Sequence, residues 1–224
     1  MKTGKRILST VLGCILVVSL AGCGKNQKAQ TSVPATATEQ SIQVSKTNPM
    51  IVDKVAKTVK MYTEVNAKYF VEPTRHAIVF KNGSNGEKSI LKAWANQSDY
   101  YNALIDIGAK PGNNITPKTS TAVQGDPLEV TITWNGASKE IPIYDAIIDS
   151  QNKKTADFRF GGNKELAKSK NTGCILCLDS CPVGISSNAT YPQMSFDNKQ
   201  VEFRGNKAVL PADGTPVVVT FKLK

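Results

Sequence analysis

Three cysteines fall within eight residues, at Cys174, Cys177 and Cys181, and Pro182 follows the last of them in the stretch NTGCILCLDSCPVG (171–184). Thiols at this density serve one of three chemistries. They ligate a metal ion or an iron–sulfur cluster, they cycle between thiol and disulfide, or they pack as small hydrophobes with or without a structural disulfide. A metal site needs a further ligand. The candidates are His76, the only histidine in the chain, and Asp179 inside the segment, with solvent or a partner's side chain beyond them. The three thiols with His76 would make a Cys3His zinc site, a common structural set.

The spacing C-x2-C-x3-C-P matches the last three cysteines and the proline of the bacterial ferredoxin run. Asn171 stands where the first cysteine of that run would fall. In two-cluster ferredoxins the cysteine before the proline ligates the other cluster, and no second run exists here. A [4Fe–4S] cluster on Cys174, Cys177 and Cys181 would therefore leave one iron to another ligand, which would suit an exchangeable group. For thiol redox chemistry, Cys174 and Cys177 form a C-x-x-C pair with Cys181 as resolving thiol, and a helix N-terminus would activate the first thiol. Nothing nearby resembles a thioredoxin-like βαβ context. If 173–181 were helical, the cysteines would share one stripe. The outer pair would then stand about 10 Å apart along the axis, too far for one compact site. Metal binding thus demands a loop or a broken helix, which Gly173, Pro182 and Gly184 permit. An odd cysteine count in an exported chain argues against a plain structural disulfide.

Export is indicated by the N-terminus. Lys2, Lys5 and Arg6 precede an apolar run from Ile7 to Leu20, a secretory-signal pattern too short for a comfortable membrane span. The run ends in Leu20-Ala21-Gly22-Cys23, which resembles the lipobox of bacterial lipoproteins. That resemblance implies a signal peptide over 1–22, removed together with Cys14, and a diacylglycerol-modified Cys23. It places the protein outside the cytoplasm, lipid-anchored to the bacterial cell membrane, with thiols prone to oxidation. Residues 24–49 are almost free of large apolar side chains and read as a flexible tether, which would hold the domain roughly 25–30 Å from the membrane. Without its signal the chain carries a net charge of about +7, an excess that favours an anionic membrane surface or simply a solvated one. Nucleic acid is a poor partner, because no basic run is interleaved with aromatics.

Residues 50–224 read as a single compact domain of α+β class, mainly antiparallel β with one or two short helices. Val59, Met61, Thr63 and Val65 alternate at strand period. HAIVF (76–80) and KSILKAWA (88–95) flank the turn cluster NGSNGE and predict a hairpin. SDYYNALIDIG (98–108) predicts a helix capped by Ser98 and ended by Gly108. PLEVTITW (127–134) and KEIPI (139–143) predict a second hairpin through Asn135-Gly136. A short helix is expected at 144–149, a strand at 157–160, a hairpin about Gly205-Asn206 and a closing strand at 215–223. Trp94 and Trp134 sit in strand patterns and read as core.

Taken together, EVNAKYF, EPTRHAIVFKNGSNGEKSILKAWANQSDYYNALIDIGAKPGNNI, VTITWNG and GCILCLDSCPVGISSNATY resemble the YdjY-domain proteins, a bacterial family sometimes described as ferredoxin-like. The resemblance runs from about residue 50 to the C-terminus. It implies an exported or membrane-associated protein with an iron–sulfur centre, and it carries no assigned activity.

Hydrolase triads are disfavoured by the single histidine. No H-E-x-x-H or G-x-S-x-G signature is present, and the Gly-rich stretches lack a strand-to-helix phosphate-loop context. The leading expectation is an electron carrier or accessory protein rather than an enzyme. It would hold an iron–sulfur cluster or another metal on Cys174, Cys177 and Cys181 and serve a membrane redox partner. Zinc is the alternative metal, and no cofactor at all is expected if the cysteines are structural. An accessory or binding lipoprotein and a thiol-disulfide protein are the competing classes.

Overall fold

The computed structural model describes residues 44–224. The expected signal peptide (1–22), the lipobox cysteine Cys23 and most of the expected tether lie outside the described residues. The strands are β1 (Met50–Asp53), β2 (Thr58–Val65), β3 (His76–Phe80) and β4 (Ser89–Ala93), then helix α1 (Gln97–Asp106). Next come β5 (Leu128–Thr133), β6 (Ile141–Pro142), β7 (Ile147–Asp149) and β8 (Phe158–Phe160), then helix α2 (Lys164–Lys170). The chain finishes with β9 (Cys174–Cys177), β10 (Ser186–Asn188), β11 (Phe203–Gly205) and β12 (Pro216–Leu223). The expected β-rich character holds: the domain is mostly β, with two short α-helices.

The main sheet runs β6-β5-β12-β2-β4-β3-β9-β10-β8, with β1 added to β2, and β7 pairs with β11 apart from it. Alternation explains its centre. On β2, Val59, Met61 and Val65 face the core, and on β12 Val217, Val219 and Phe221 do the same, with Met61 opposite Val219 and Val59 opposite Phe221. The sheet curls until its ends meet. Pro127, at the entry to β5, bridges Arg159 of β8, and the Phe160 N–H donates to the Asp126 carbonyl at 2.9 Å.

Helix α1 fills the concave side. Tyr100 is fully buried, its ring lies tilted against Phe221 on β12 with centroids 4.7 Å apart, and its hydroxyl shares a 2.9 Å hydrogen bond with Ser186 on β10. One side chain thus joins strands far apart in the sheet order. Asn96, rather than Ser98, caps the helix, its side-chain oxygen accepting from the N–H groups of Ser98 and Asp99 at 2.9 Å each. An N-cap must precede the first helical residue in extended backbone, and Asn96 does so.

Four further expectations are corrected. β3 and β4 are parallel, with His76 opposite Ser89 and Phe80 opposite Ala93, so 76–80 and 88–95 are not a hairpin. The loop between them is tied to the start of β9, Ser84 N–H donating to Asn171 O at 2.8 Å and Asn85 N–H to Thr172 O at 3.2 Å. That detour returns the chain to the starting end of β3. β9 and β10 are parallel as well, while the other strand pairs are antiparallel, so the sheet stays mainly antiparallel as expected. No hairpin forms about Gly205-Asn206, because β11 pairs with β7 and the Asn206 N–H donates to Ala146 O. The stretch 144–149 splits into a 3-10 turn (Ile143–Ala146) and strand β7. The packed body also begins before residue 50, since Val44 is 1% exposed and packs against Tyr62 and Val218.

Candidate metal centre

The cysteine segment is a strand, not a helix. In a regular strand residues i and i+3 point to opposite faces, which would separate Cys174 from Cys177. The pairing of β9 with β3 is irregular. Val79 lies opposite Cys174, Ile78 opposite Leu176 and His76 opposite Cys177, with register shifts between them. A bulge lets two successive residues share a face. Ile175 and Leu176 both enter the main core, as do Ala77 and Ile78 on β3. Cys174, Cys177 and Val79 form a separate buried cluster with Cys181. The two strands therefore follow one pattern, a core pair flanked by residues on the other face, and His76 joins the cysteines on that face.

Among the described residues, the ligand atoms of His76, Cys174 and Cys177 lie within 4.8 Å of one another. The His76 Nδ1 is 3.6 Å from the Cys174 Sγ and 3.9 Å from the Cys177 Sγ. Both cysteines are fully buried and His76 is partly exposed. The loop after β3 covers the site, with Asn85 Nδ2 3.7 Å from the Cys174 Sγ. His76 is held by its own backbone, its N–H donating to Thr74 Oγ1 at 3.1 Å while that hydroxyl donates to Lys88 O.

Cys181 is buried beside Cys177 but outside the compact trio. Pro182 follows it at the second position of a tight turn, closed by the Gly184 N–H on the Cys181 carbonyl at 3.2 Å. Proline presets the backbone angle wanted there. The Cys-Pro pair thus has a turn-forming role whatever it ligates. Gly184 is required by contact. A Cβ there would sit 2.8 Å from Ser187 Oγ and 3.1 Å from the Cys177 Sγ.

Asp179, the other expected ligand candidate, lies outside the compact trio and is engaged elsewhere. It is fully buried and receives Arg75 through Nε at 2.9 Å and Nη2 at 2.8 Å, and the Phe196 N–H at 3.3 Å. Burial pushes the Asp179 carboxyl up, against the pull of the Arg75 charge. Burial works against the Arg75 charge too, but Asp179, Cys181, Cys177 and Asp197 together hold it protonated. Arg75 is thus the cation of the site, adjacent in sequence to His76.

The thiols differ from one another. A hydrogen bond from Cys177 holds Cys174 well below the ordinary thiol range against the effect of burial, and His76 and Asn85 add to it. Cys177 is pushed well above that range by its bond to Cys174, then by Cys181 and by burial. Cys174 and Cys177 lie in a strand rather than at a helix N-terminus, so a helix dipole is not what lowers the Cys174 thiol. Around one ion with thiolates near 2.3 Å and an imidazole nitrogen near 2.0–2.1 Å, the edges of a tetrahedron come to roughly 3.5–3.8 Å. The His76–thiol distances fall at or just above that range. A cubane cluster puts each thiolate on a different iron, so its sulfurs stand wider apart than the edges of one tetrahedron.

The YdjY domain model matches residues 50–222. The chain belongs to the YdjY-domain family. It is also similar to the uncharacterized protein YdjY of Escherichia coli (strain K12), 42% identical over 214 residues that cover 94% of this chain and 92% of the relative. No solved structure matches the chain. The YdjY match covers every strand and helix described above except the final residue of β12. Sequence reasoning on this YdjY domain found both cysteines of the trio and His76. It missed Arg75, Asn85 and Ser187, and it singled out Gly184 only as a residue that permits a loop. The turn cluster around Asn85 and the proximity of Arg75 to His76 were the available signals.

Proposed function

We propose that this chain is a metal-binding lipoprotein whose domain holds a single thiophilic ion, zinc or copper(I), on Cys174, Cys177 and His76. The observation that carries this reading is the convergence of two thiols and an imidazole nitrogen, within 4.8 Å of one another, on one face of two bulged strands. Thiolates select zinc and copper(I) among the available metals, and imidazole suits both. Cys181, packed against Cys177, is the nearest candidate for a fourth ligand. The lipobox-like sequence supports attachment at Cys23 outside the cytoplasm, so the ion would be held close to a membrane. A second reading, a [4Fe–4S] centre passing electrons to a membrane redox partner, is favoured by the presence of all three thiols in one buried cluster.

One experiment separates the readings. The mature chain is purified without oxygen, and zinc, copper, iron, acid-labile sulfide and free thiols are assayed on the same sample. About one ion per chain without sulfide is expected. Cys174→Ser, Cys177→Ser and His76→Ala should each lose it. About four irons with four sulfides would replace this reading with the second. A chain that takes up no metal under reconstitution would overturn both.

A further inference from the structure

Ser187 is fully buried, and its Oγ has no hydrogen-bond partner, the one such buried side-chain atom among the described residues. A buried hydroxyl left unpaired is destabilising, so its place in the fold calls for an account. Ser187 lies opposite Cys177 in the parallel β9–β10 ladder. Its Oγ and the Cys177 Sγ also flank the same small space beside Gly184, 2.8 Å and 3.1 Å from where a Cβ would stand. A side chain at 184 would fill the gap between hydroxyl and sulfur, and glycine leaves it open.

We propose that Ser187 is a positioning residue for the metal centre, donating its hydroxyl proton to the Cys177 sulfur once that sulfur is a metal-bound thiolate. The inference rests on the reading of Cys177 as a ligand. A cysteine that becomes a metal ligand gives up its thiol proton. On binding, the metal replaces that proton, which leaves to solvent, and the sulfur becomes a negatively charged acceptor with Ser187 beside it. Hydrogen bonds to a ligating group orient it and tune the metal, and their loss typically costs 10- to 100-fold in affinity.

The test uses the full chain in detergent, as wild type and as Ser187→Ala. Cobalt(II) serves as spectroscopic probe, and zinc affinity is measured by competition with a chromophoric chelator. The variant should bind zinc about 10-fold more weakly. Its sulfur-to-cobalt charge-transfer band should move to longer wavelength, because the sulfur electrons lose a stabilising donor. The melting temperature of its metal-free form should stay the same or rise, since an unpaired hydroxyl has been removed. Ser187→Thr keeps the donor and should retain the wild-type band, and it serves as well if the alanine variant misfolds. Unchanged zinc affinity and an unmoved band in Ser187→Ala, with wild type binding normally, would overturn this inference alone. Failure of wild type to bind either ion would overturn the metal reading and this inference with it.

Discussion

Arg75 and His76 are neighbours in the chain with opposite tasks. His76 turns its Nδ1 to the thiols, while Arg75 turns to Asp179 and, at 2.6 Å, to Asp197. Asp179 and the cysteines share one short segment, so by residue type the carboxylate was as good a candidate ligand as the imidazole. Geometry separates them, because His76 lies in the compact group with Cys174 and Cys177, whereas both Asp179 oxygens are taken, one by Arg75 and the other by the Phe196 N–H. Asp179→Asn should therefore keep the full metal content. It should also destabilise the fold by about 3 kcal/mol, since Arg75, with only 15% of its side chain exposed, loses its main counter-charge. Parallel metal assay and denaturant melts check this. Metal loss without loss of stability would return Asp179 to the ligand set.

Strand β9 carries the site because it is irregular. Cys174 and Cys177 share a face only through the bulge that sends Ile175 and Leu176 together into the core, and β3 repeats the device with Ala77 and Ile78. Sequence patterning cannot register such a bulge. The run CILC reads equally as a buried strand or a turn of helix, since all four residues tolerate burial. The connection from β9 to β10 is equally exacting. Gly184→Ala would place a methyl group 2.8 Å from Ser187 Oγ and 3.1 Å from the Cys177 Sγ. The expected cost is about 1–3 kcal/mol in melting experiments. Zinc affinity should fall as well, because the methyl group presses on a ligand. A variant with wild-type affinity would mean that this turn does not constrain Cys177.

The domain is a sheet curled around one helix, with the His76–Cys174–Cys177 cluster on the face turned away from the main core. No helix among the described residues is long and apolar enough to cross a membrane. The proposed attachment rests on the lipobox-like Leu20-Ala21-Gly22-Cys23 alone. Cys23→Ser should abolish incorporation of labelled fatty acid and move the protein from the membrane fraction to the soluble one. The metal content should not change, since every proposed ligand lies in the folded domain. Retention of the variant in the membrane fraction would overturn the anchor. What the sequence by itself determined is local: alternation set the β-rich class and the central strands β2, β5 and β12, and residue type and spacing marked the cysteines. Only the tertiary structure decided that β3 and β4 run parallel, that Asn96 caps α1 and that Asp179 belongs to Arg75. It also brought His76 to Cys174 across 98 positions of chain. The physical reason is that periodicity and capping depend on neighbours in sequence. Strand order, bulges and ion pairs depend on which distant segments bury each other's surface, and a single chain's pattern does not contain that information.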